Sequence, residues 1–406
     1  MGQAVDLSLL APFEGEARKP LLPIPIRSET GAVGAVANAQ YLTLGEIYER
    51  FMDDPTRGWS ARTRLAYETA RRLALSIIGA DTYVDRLSRA TCRDFMETLR
   101  FIPKNASKRY PQLSPREVAV RARAEGWPDL ISPANVNLYL NKVCVVLNWA
   151  VQEEFLGKNH MRGLRLADPV AKHEKRHPFS DEQLCRIFTA PLYTGCKDDG
   201  SGYAISGGAR PRGTRFWIPL IGLYSGLRLN EICQLDIADV RTVDDVCCFA
   251  ITEKSLVGST DKSLKTRSSE RLVPVHPKLI DVGFSAFVVE RACRGQVKLF
   301  EDICPGRNGF RSTAFSKWFS LFLTHAGASR ERTSFHSFRH GFRDALRDAR
   351  VGREISMALG GWGSGRSGAD VSDNYGRGYR VDVLLQEISK VRFPVVDVAI
   401  ETSRKP

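Results

Sequence analysis

The residues of this chain that could do chemistry together are arginines, histidines, one lysine, one tryptophan and one tyrosine, all in the second half of 406 residues. The densest group is His336-Ser-Phe-Arg-His-Gly-Phe-Arg. There His336, Arg339, His340 and Arg343 recur at spacings of three and four, which on a helix sets them along one face. Phe335, Phe338, Phe342, Ala345 and Leu346 recur similarly and would anchor that helix in a core. So many cations on an anchored helix suit a site that holds an anion; taken alone, a solvated basic face would suit them equally. Upstream, Arg228 and Glu231 lie one helical turn apart, and Lys265 falls near a predicted hairpin. Downstream come Trp362 and Tyr375, with Tyr379 as a second tyrosine. A phenol has a reference pKa near ~10, so attack by such an oxygen needs an acceptor or a nearby positive field. Guanidiniums supply the field and fork onto anionic oxygens without losing their proton.

The elements that must position these groups follow from the hydrophobic periods. Residues 1–40 hold Pro12, Pro20, Pro23 and Pro25 and then a Gly/Ala run, and are expected to be a flexible arm. From Leu42 the period is helical: Leu44, Ile47, Tyr48 and Phe51 form one stripe, and Ala66, Tyr67, Ala70, Ala74 and Ile77 the next, with Ser60 and Thr63 as caps. A third helix is predicted over 90–99. An irregular, proline-broken segment follows over 101–132, with a short helix near 116–125, and then a long helix from Pro133 to about Phe155. The span 41–166 therefore reads as a small all-helical domain, 167–179 as a charged linker, 180–395 as a second domain, and 396–406 as a tail. In the second domain an apolar helix runs into a turn at Ser225-Gly226. Strands are predicted at 246–252, 264–266 and 270–275, and helices at 278–293 and 312–327.

Composition narrows the partner. The formal net charge is +13, which favours a polyanion, and nucleic acid is the first candidate. No run of about 18 apolar residues exists to span a bilayer. The start Met-Gly-Gln-Ala-Val-Asp has no secretory pattern, so a cytoplasmic protein is expected. Nine cysteines, an odd number with no Cys-x-x-Cys pair, read as reduced and buried thiols. His173-Glu-Lys-Arg-His177 formally matches a zinc-peptidase motif, but that chemistry needs both histidines on one helix, and Pro178 follows directly. Gly363-Ser-Gly-Arg-Ser-Gly368 formally matches a dinucleotide loop, without the preceding strand such a loop requires.

Taken in order, the boxes resemble the tyrosine recombinase (phage integrase) family. Ser225-Gly-Leu-Arg228-Leu-Asn-Glu231 looks like its first arginine box, and Leu264-Lys265-Thr-Arg-Ser-Ser-Glu-Arg271-Leu-Val-Pro-Val like its lysine hairpin. His336-Ser-Phe-Arg339-His340 looks like its His-x-x-Arg box, Leu359-Gly-Gly-Trp362 like the box that often holds a second histidine, and Val371-Ser-Asp-Asn-Tyr375-Gly like the nucleophile segment. The resemblance implies a mainly α (α+β) fold: an all-helical core-binding domain and a mostly helical catalytic domain with a small antiparallel sheet. It implies a site-specific recombinase that cleaves and rejoins DNA through a 3′-phosphotyrosine, needing neither metal nor ATP and no cofactor. Its partners would be specific double-stranded sites and further copies of the chain, a tetramer on DNA, in a bacterial cytoplasm. On that reading Arg228 and Arg339 hold the phosphate, Tyr375 attacks, His336 moves the proton, Lys265 protonates the leaving oxygen and Trp362 donates to the phosphate. Glu231 and His340 support them, and Arg62, Arg64, Arg71 and Lys142 of the helical domain contact DNA. A relaxing topoisomerase with the same chemistry and a catalytically idle DNA-binding regulator are the rival readings.

Overall fold

Serine and threonine hydroxyls set where most of the early helices begin. The computed structural model describes residues 42–264, 269–306, 309–362 and 378–402. Helix α1 (Leu44–Asp53) starts at Thr43, whose hydroxyl accepts from the Glu46 N–H while the Glu46 carboxylate accepts from the Thr43 N–H at 2.7 Å. Ser60, Ser88, Ser114 and Ser132 cap α2 (Ala61–Ile78), α3 (Arg89–Arg100), α5 (Pro115–Ala124) and α6 (Pro133–Gln152), each hydroxyl accepting from the N–H three residues on, and Glu117 completes the reciprocal box at Ser114; a four-residue turn of helix, α4 (Ala106–Arg109), precedes α5. Losing one such cap costs about 1 kcal/mol. The predicted stripes become a core of Leu44, Ile47, Tyr48, Phe51, Phe95, Leu140, Val143 and Leu147, with Ala70 and Ala74 fully buried where α2 meets its neighbours.

A second core runs from Phe179 to Ala399. Ser180 and Gln183 form a capping box on α7 (Asp181–Phe188), followed by the short α8 (Pro191–Thr194). Helix α9 (Thr214–Ser225) is buried at every residue but Arg215, and the later α14 (His336–Asp348) packs along it. Then come α10 (Leu229–Cys233) and a three-stranded antiparallel sheet in the order β1 (Val240–Val243), β2 (Val246–Ile251), β3 (Arg271–Pro274). The β1–β2 turn is Asp244-Asp245, both at positive φ (45° and 61°), so the hairpin closes with two residues. The longer β2–β3 connection contains Lys265, which lies outside the described residues with 266–268.

Helices α11 (Pro277–Val282), α12 (Phe284–Cys293), α13 (Ser312–His325), α14, α15 (Arg353–Gly360), α16 (Val381–Ile388) and α17 (Pro394–Thr402) complete the described chain. The fold is thus mainly helical with a small antiparallel sheet, as the sequence indicates. It differs in detail. The single helix expected over 278–293 is broken at Gly283, whose φ of 104° cannot continue a helix. Strand β1 was not anticipated, because its turn carries Asp-Asp rather than a glycine. Leu264 is not in a strand. The core extends past 395, since Val396 and Ala399 are buried in it and α17 packs on α7. All nine cysteines are free, but Cys185, Cys293 and Cys304 are exposed rather than buried. The expected arm over 1–40 and residues 403–406 lie outside the described residues. Among the described residues, no helix is long and apolar enough to cross a membrane.

Candidate active site

Two glycine-bearing turns and one helix face bring the arginines together. At the end of α9, Gly226 takes a left-handed conformation (φ 61°) that turns the chain into α10. This leaves Arg228 at the N-cap of α10. Its N–H donates to Glu231 Oε2 at 2.9 Å and its guanidinium to Glu231 Oε1. The same guanidinium reaches Ser269 Oγ at 3.2 Å and the Gly361 carbonyl at 3.2 Å, and the side chain keeps 25% of its surface exposed. Glu231 is 4% exposed. Burial alone would push its carboxyl up, but Arg271 and Arg228 hold it below the usual carboxylate range. It is ionised, and the site keeps its charge pattern at neutral pH.

Arg339 projects from α14 into the same space. One terminal nitrogen donates to the Gly226 carbonyl at 2.7 Å and the other to the Gly360 carbonyl. Burial, with the Arg228 charge beside it, pushes its pKa down to about 9, so it remains a cation at neutral pH. Its guanidinium lies 4.7 Å from the Trp362 ring centroid, and that of Arg343 lies 5.1 Å from it. The indole is a platform under two cations, an arrangement that desolvation strengthens.

The C-terminal turn of α15 joins these parts. Its last three carbonyls each accept from a different arginine: Leu359 from Arg271 Nε (3.0 Å), Gly360 from Arg339, and Gly361 from Arg228. Helix carboxyl ends have carbonyls without intrahelical partners and a partial negative charge, and guanidiniums satisfy both. Gly361 is left-handed (φ 57°), and a Cβ there would stand 2.7 Å from the Arg271 guanidinium. Of the three guanidiniums, Arg228 and Arg271 share the one buried carboxylate and Arg339 rests on carbonyls, which leaves a surplus of positive charge for a bound anion.

His336 and His340 sit one turn apart on α14, ring centroids 5.1 Å from each other. Burial, then the charges of Arg176, His340, Arg339 and Arg228, lowers His336 to about 4; burial and then Arg176, with Arg339 and Arg343, also lower His340, against an opposing pull from Asp344. His336 is therefore a neutral imidazole at pH 7, able to accept a proton.

Of the residues singled out from sequence, Arg228, Glu231, Arg339 and Trp362 meet in one place, with His336 and His340 beside them. Lys265 and Tyr375 lie outside the described residues. Tyr379 is described: its phenol donates to Glu354 Oε2 at 2.8 Å, and that hydrogen bond raises its pKa, which makes it a poorer nucleophile. Arg62, Arg64 and Arg71 lie on α2 and Lys142 on α6. Arg64 bonds the Met52 carbonyl at 3.2 Å, Arg71 pairs with Glu49 at 3.5 Å, Lys142 sits 4.0 Å from the Tyr67 ring centroid, and Arg62 lies 5.8 Å from that of Phe310. The sequence reading missed Arg271, Ser269 and Arg176. Arg271 stands inside the lysine-hairpin box, and its signal is a cation directly after the hairpin glutamate, Glu270-Arg271. The His173–His177 motif does not form one helix: Lys172–Lys175 is a single tight turn ending at Arg176. Among the described residues, no group of three or more His, Cys, Asp or Glu could hold a metal.

No protein-family model matches the chain, and no curated protein sequence matches it. Solved structures do. The Tn1549 transposon integrase in complex with transposon right end DNA aligns over 86% of this chain and 99% of its own, at 16% identity and a TM-score of 0.53. A lambda integrase dimer bound to a COC′ core site aligns over 84% and 98%, at 14% identity and a TM-score of 0.51. A lambda integrase tetramer bound to a Holliday junction aligns over 81% and 80%, at 14% identity and a TM-score of 0.52. The chain has the fold of the tyrosine recombinase integrases.

Proposed function

We propose that this protein is a site-specific DNA recombinase that integrates or excises a mobile element. It would cut and rejoin strands through a 3′-phosphotyrosine intermediate. The observation that carries this reading is the guanidinium cluster: Arg228 and Arg339, aligned by one buried carboxylate and the carbonyls of a helix end, beside a neutral histidine. Such a cluster matches the non-bridging oxygens of a phosphodiester whose charge grows as phosphorus becomes five-coordinate. In the step proposed, the Tyr375 oxygen bonds to phosphorus and its proton passes to His336. The bond from phosphorus to the 5′-oxygen breaks, and Lys265 gives that oxygen a proton. The reverse step, with a different 5′-hydroxyl, reseals the strand, and the energy of the bond stays in the phosphotyrosine. Trp362 supports Arg339 and donates its N–H to a phosphate oxygen. Glu231 holds Arg228, and His340 supports His336.

The integrases that share the fold are bound to DNA, one as a dimer and one as a tetramer, which supports a duplex DNA partner and self-association here. Residues 41–166 would be the core-binding domain, with Arg62, Arg64, Arg71 and Lys142 toward DNA, and 180–395 the catalytic domain. The setting proposed is the DNA of a bacterial cytoplasm. Covalent trapping tests the reading. A duplex enriched from a randomised pool by the full chain is nicked near its centre and incubated, with chelator present, with wild type, Tyr375→Phe and Tyr379→Phe. An adduct on denaturing gels that only Tyr375→Phe abolishes is the expected result. Loss in Tyr379→Phe alone would move the nucleophile, relaxation of supercoils without a defined site would point to a topoisomerase, and tight binding with no adduct to an idle regulator.

A further inference from the structure

Arg271 is the first residue of β3, and no role in strand transfer falls to it above. Its side chain is 7% exposed, and each of its three nitrogens donates to a protein acceptor. Nε meets the Leu359 carbonyl at 3.0 Å, Nη1 the Ser269 carbonyl at 2.8 Å, and Nη2 Glu231 Oε2 at 3.0 Å. One guanidinium thus joins α10, the strand returning from the Lys265 segment, and the carboxyl end of α15. The turn at Gly361 wraps so closely against it that a single added methyl would stand 2.7 Å away.

Two consequences follow for the neighbours. Glu231 has two oxygens and divides them, Oε1 to the Arg228 guanidinium and Oε2 to Arg271 and the Arg228 N–H. Without Arg271 the carboxylate is free to turn both oxygens onto the Arg228 guanidinium, the fork-to-fork pairing that guanidiniums favour, and would consume donors meant for the substrate. The Leu359 carbonyl would also lose its tie. The next two carbonyls, on which Arg339 and Arg228 rest, belong to the same turn and would shift with it.

We infer that Arg271 is a positioning residue, which fixes the separation and aim of Arg228 and Arg339 without touching the substrate itself. The inference rests on the strand-transfer reading for what those two arginines do. A planar fork is required: a lysine ammonium at the same place is a point charge and cannot span three acceptors lying in three directions.

The test measures two quantities on wild type, Arg271→Met, Arg271→Lys, Glu231→Gln and the double variant Glu231→Gln/Arg271→Met. One is the single-turnover rate of adduct formation on the nicked, enriched duplex; the other is equilibrium affinity for that duplex at fixed salt. Misplacing a reacting group by about 1 Å can cost ~10²-fold, so Arg271→Met should slow adduct formation roughly 10–100-fold, with affinity changed by less than about threefold. Arg271→Lys should be nearly as slow. Adding Arg271→Met to Glu231→Gln should cost less than the product of the two single losses, because the part of the effect that passes through that carboxylate is already gone. Affinity falling in step with rate would overturn the inference, since Arg271 would then be contacting DNA. So would full recovery with lysine, or losses that multiply in the double variant. Should wild type form no adduct at all, the strand-transfer reading fails separately. Calorimetric affinity for orthovanadate then decides the role of Arg271: the same non-additive pattern supports it, and an unchanged affinity in Arg271→Met overturns it.

Discussion

Gly226→Ala is the sharpest single perturbation of the site, because its cost can be worked from two distances and one angle. At φ 61° an L-residue with a Cβ pays about 1–2 kcal/mol. The new Cβ would sit 2.3 Å from Cδ1 of Phe342, where ordinary contact begins at 3.4 Å. The ring must therefore retreat by about 1 Å, yet Phe342 is fully buried in the second core, and overpacking of this kind costs about 1–3 kcal/mol. The sum is about 2–5 kcal/mol. For a unit of this size each kcal/mol lowers Tm by about 2–4 °C, so a drop of roughly 4–20 °C is expected in the unfolding of that unit. Adduct formation should fall as well, since the Gly226 carbonyl holds Arg339 at 2.7 Å. The control is Gly341→Ala, the same chemical change inside α14. There the nearest atom to a new Cβ is Pro178 Cβ at 4.0 Å. In a helix interior alanine is better than glycine by about 0.5–1 kcal/mol, so this variant should be more stable than wild type. Scanning calorimetry of the full chain compares the two. A Gly226→Ala protein within about 0.5 kcal/mol of wild type, or two shifts of the same sign, would refute the account of the α9–α10 turn.

The remaining predictions concern charge. His336, with a folded pKa of about 4 against about 6.5 unfolded, should titrate by NMR with its midpoint well below that of an exposed histidine. Between those values the unfolded chain binds more protons, so this group's contribution to stability falls as pH drops from about 6.5 toward 4. Sulfate bound among the guanidiniums should raise the midpoint; a midpoint of 6.5 with or without sulfate would contradict the described surroundings. Lys262, whose side chain is 2% exposed and meets Asp239 at 2.7 Å, anchors the segment leading to Lys265. Lys262→Met strands that carboxylate and should cost about 3–5 kcal/mol in urea unfolding, most of it recovered in Lys262→Met/Asp239→Asn; no recovery would show that the pair is not what holds the segment.

What the sequence made legible were features with short-range causes. The α1 stripe, the Ser60 cap and the long α6 each follow from spacing within a few residues, and all three appear as predicted. So does the α14 face, where Phe338, Phe342 and Leu346 are buried in the core while Arg339 reaches the carbonyls at the ends of α9 and α15. The illegible parts were set by distant partners. Strand β1 exists because β2 lies beside it, and Asp244-Asp245 gives little warning of a two-residue turn. The break at Gly283 reflects where α11 must stop to pack on α9. Arg271 carried no sign of its three acceptors, which come from α10, the hairpin return and α15.

The glycines show most clearly why a box of residues is easier to recognise than to explain. In Leu359-Gly-Gly-Trp362 the side chain that draws notice is the tryptophan, whereas the groups that bind the arginines are the backbone carbonyls of the three residues before it. A carbonyl is present at every position, so sequence cannot flag it. Glycine marks only where the chain must come close: at Gly361, because Arg271 occupies the space a Cβ would need, and at Gly226, because Phe342 does. Buried guanidiniums have to be held rigidly, and carboxylates alone would do it at the cost of the positive charge a phosphate requires. Neutral carbonyls at a helix end hold them by hydrogen bonds and partial charge while leaving nearly all of their cationic field free. Glu231 is the one full counter-charge the described cluster contains, and it is divided between two arginines. On this view Glu231→Gln should weaken the alignment of Arg228 while strengthening overall attraction for an anion. Adduct formation would fall as duplex affinity rises, and a parallel fall of both would show that the carboxylate's role is structural support alone.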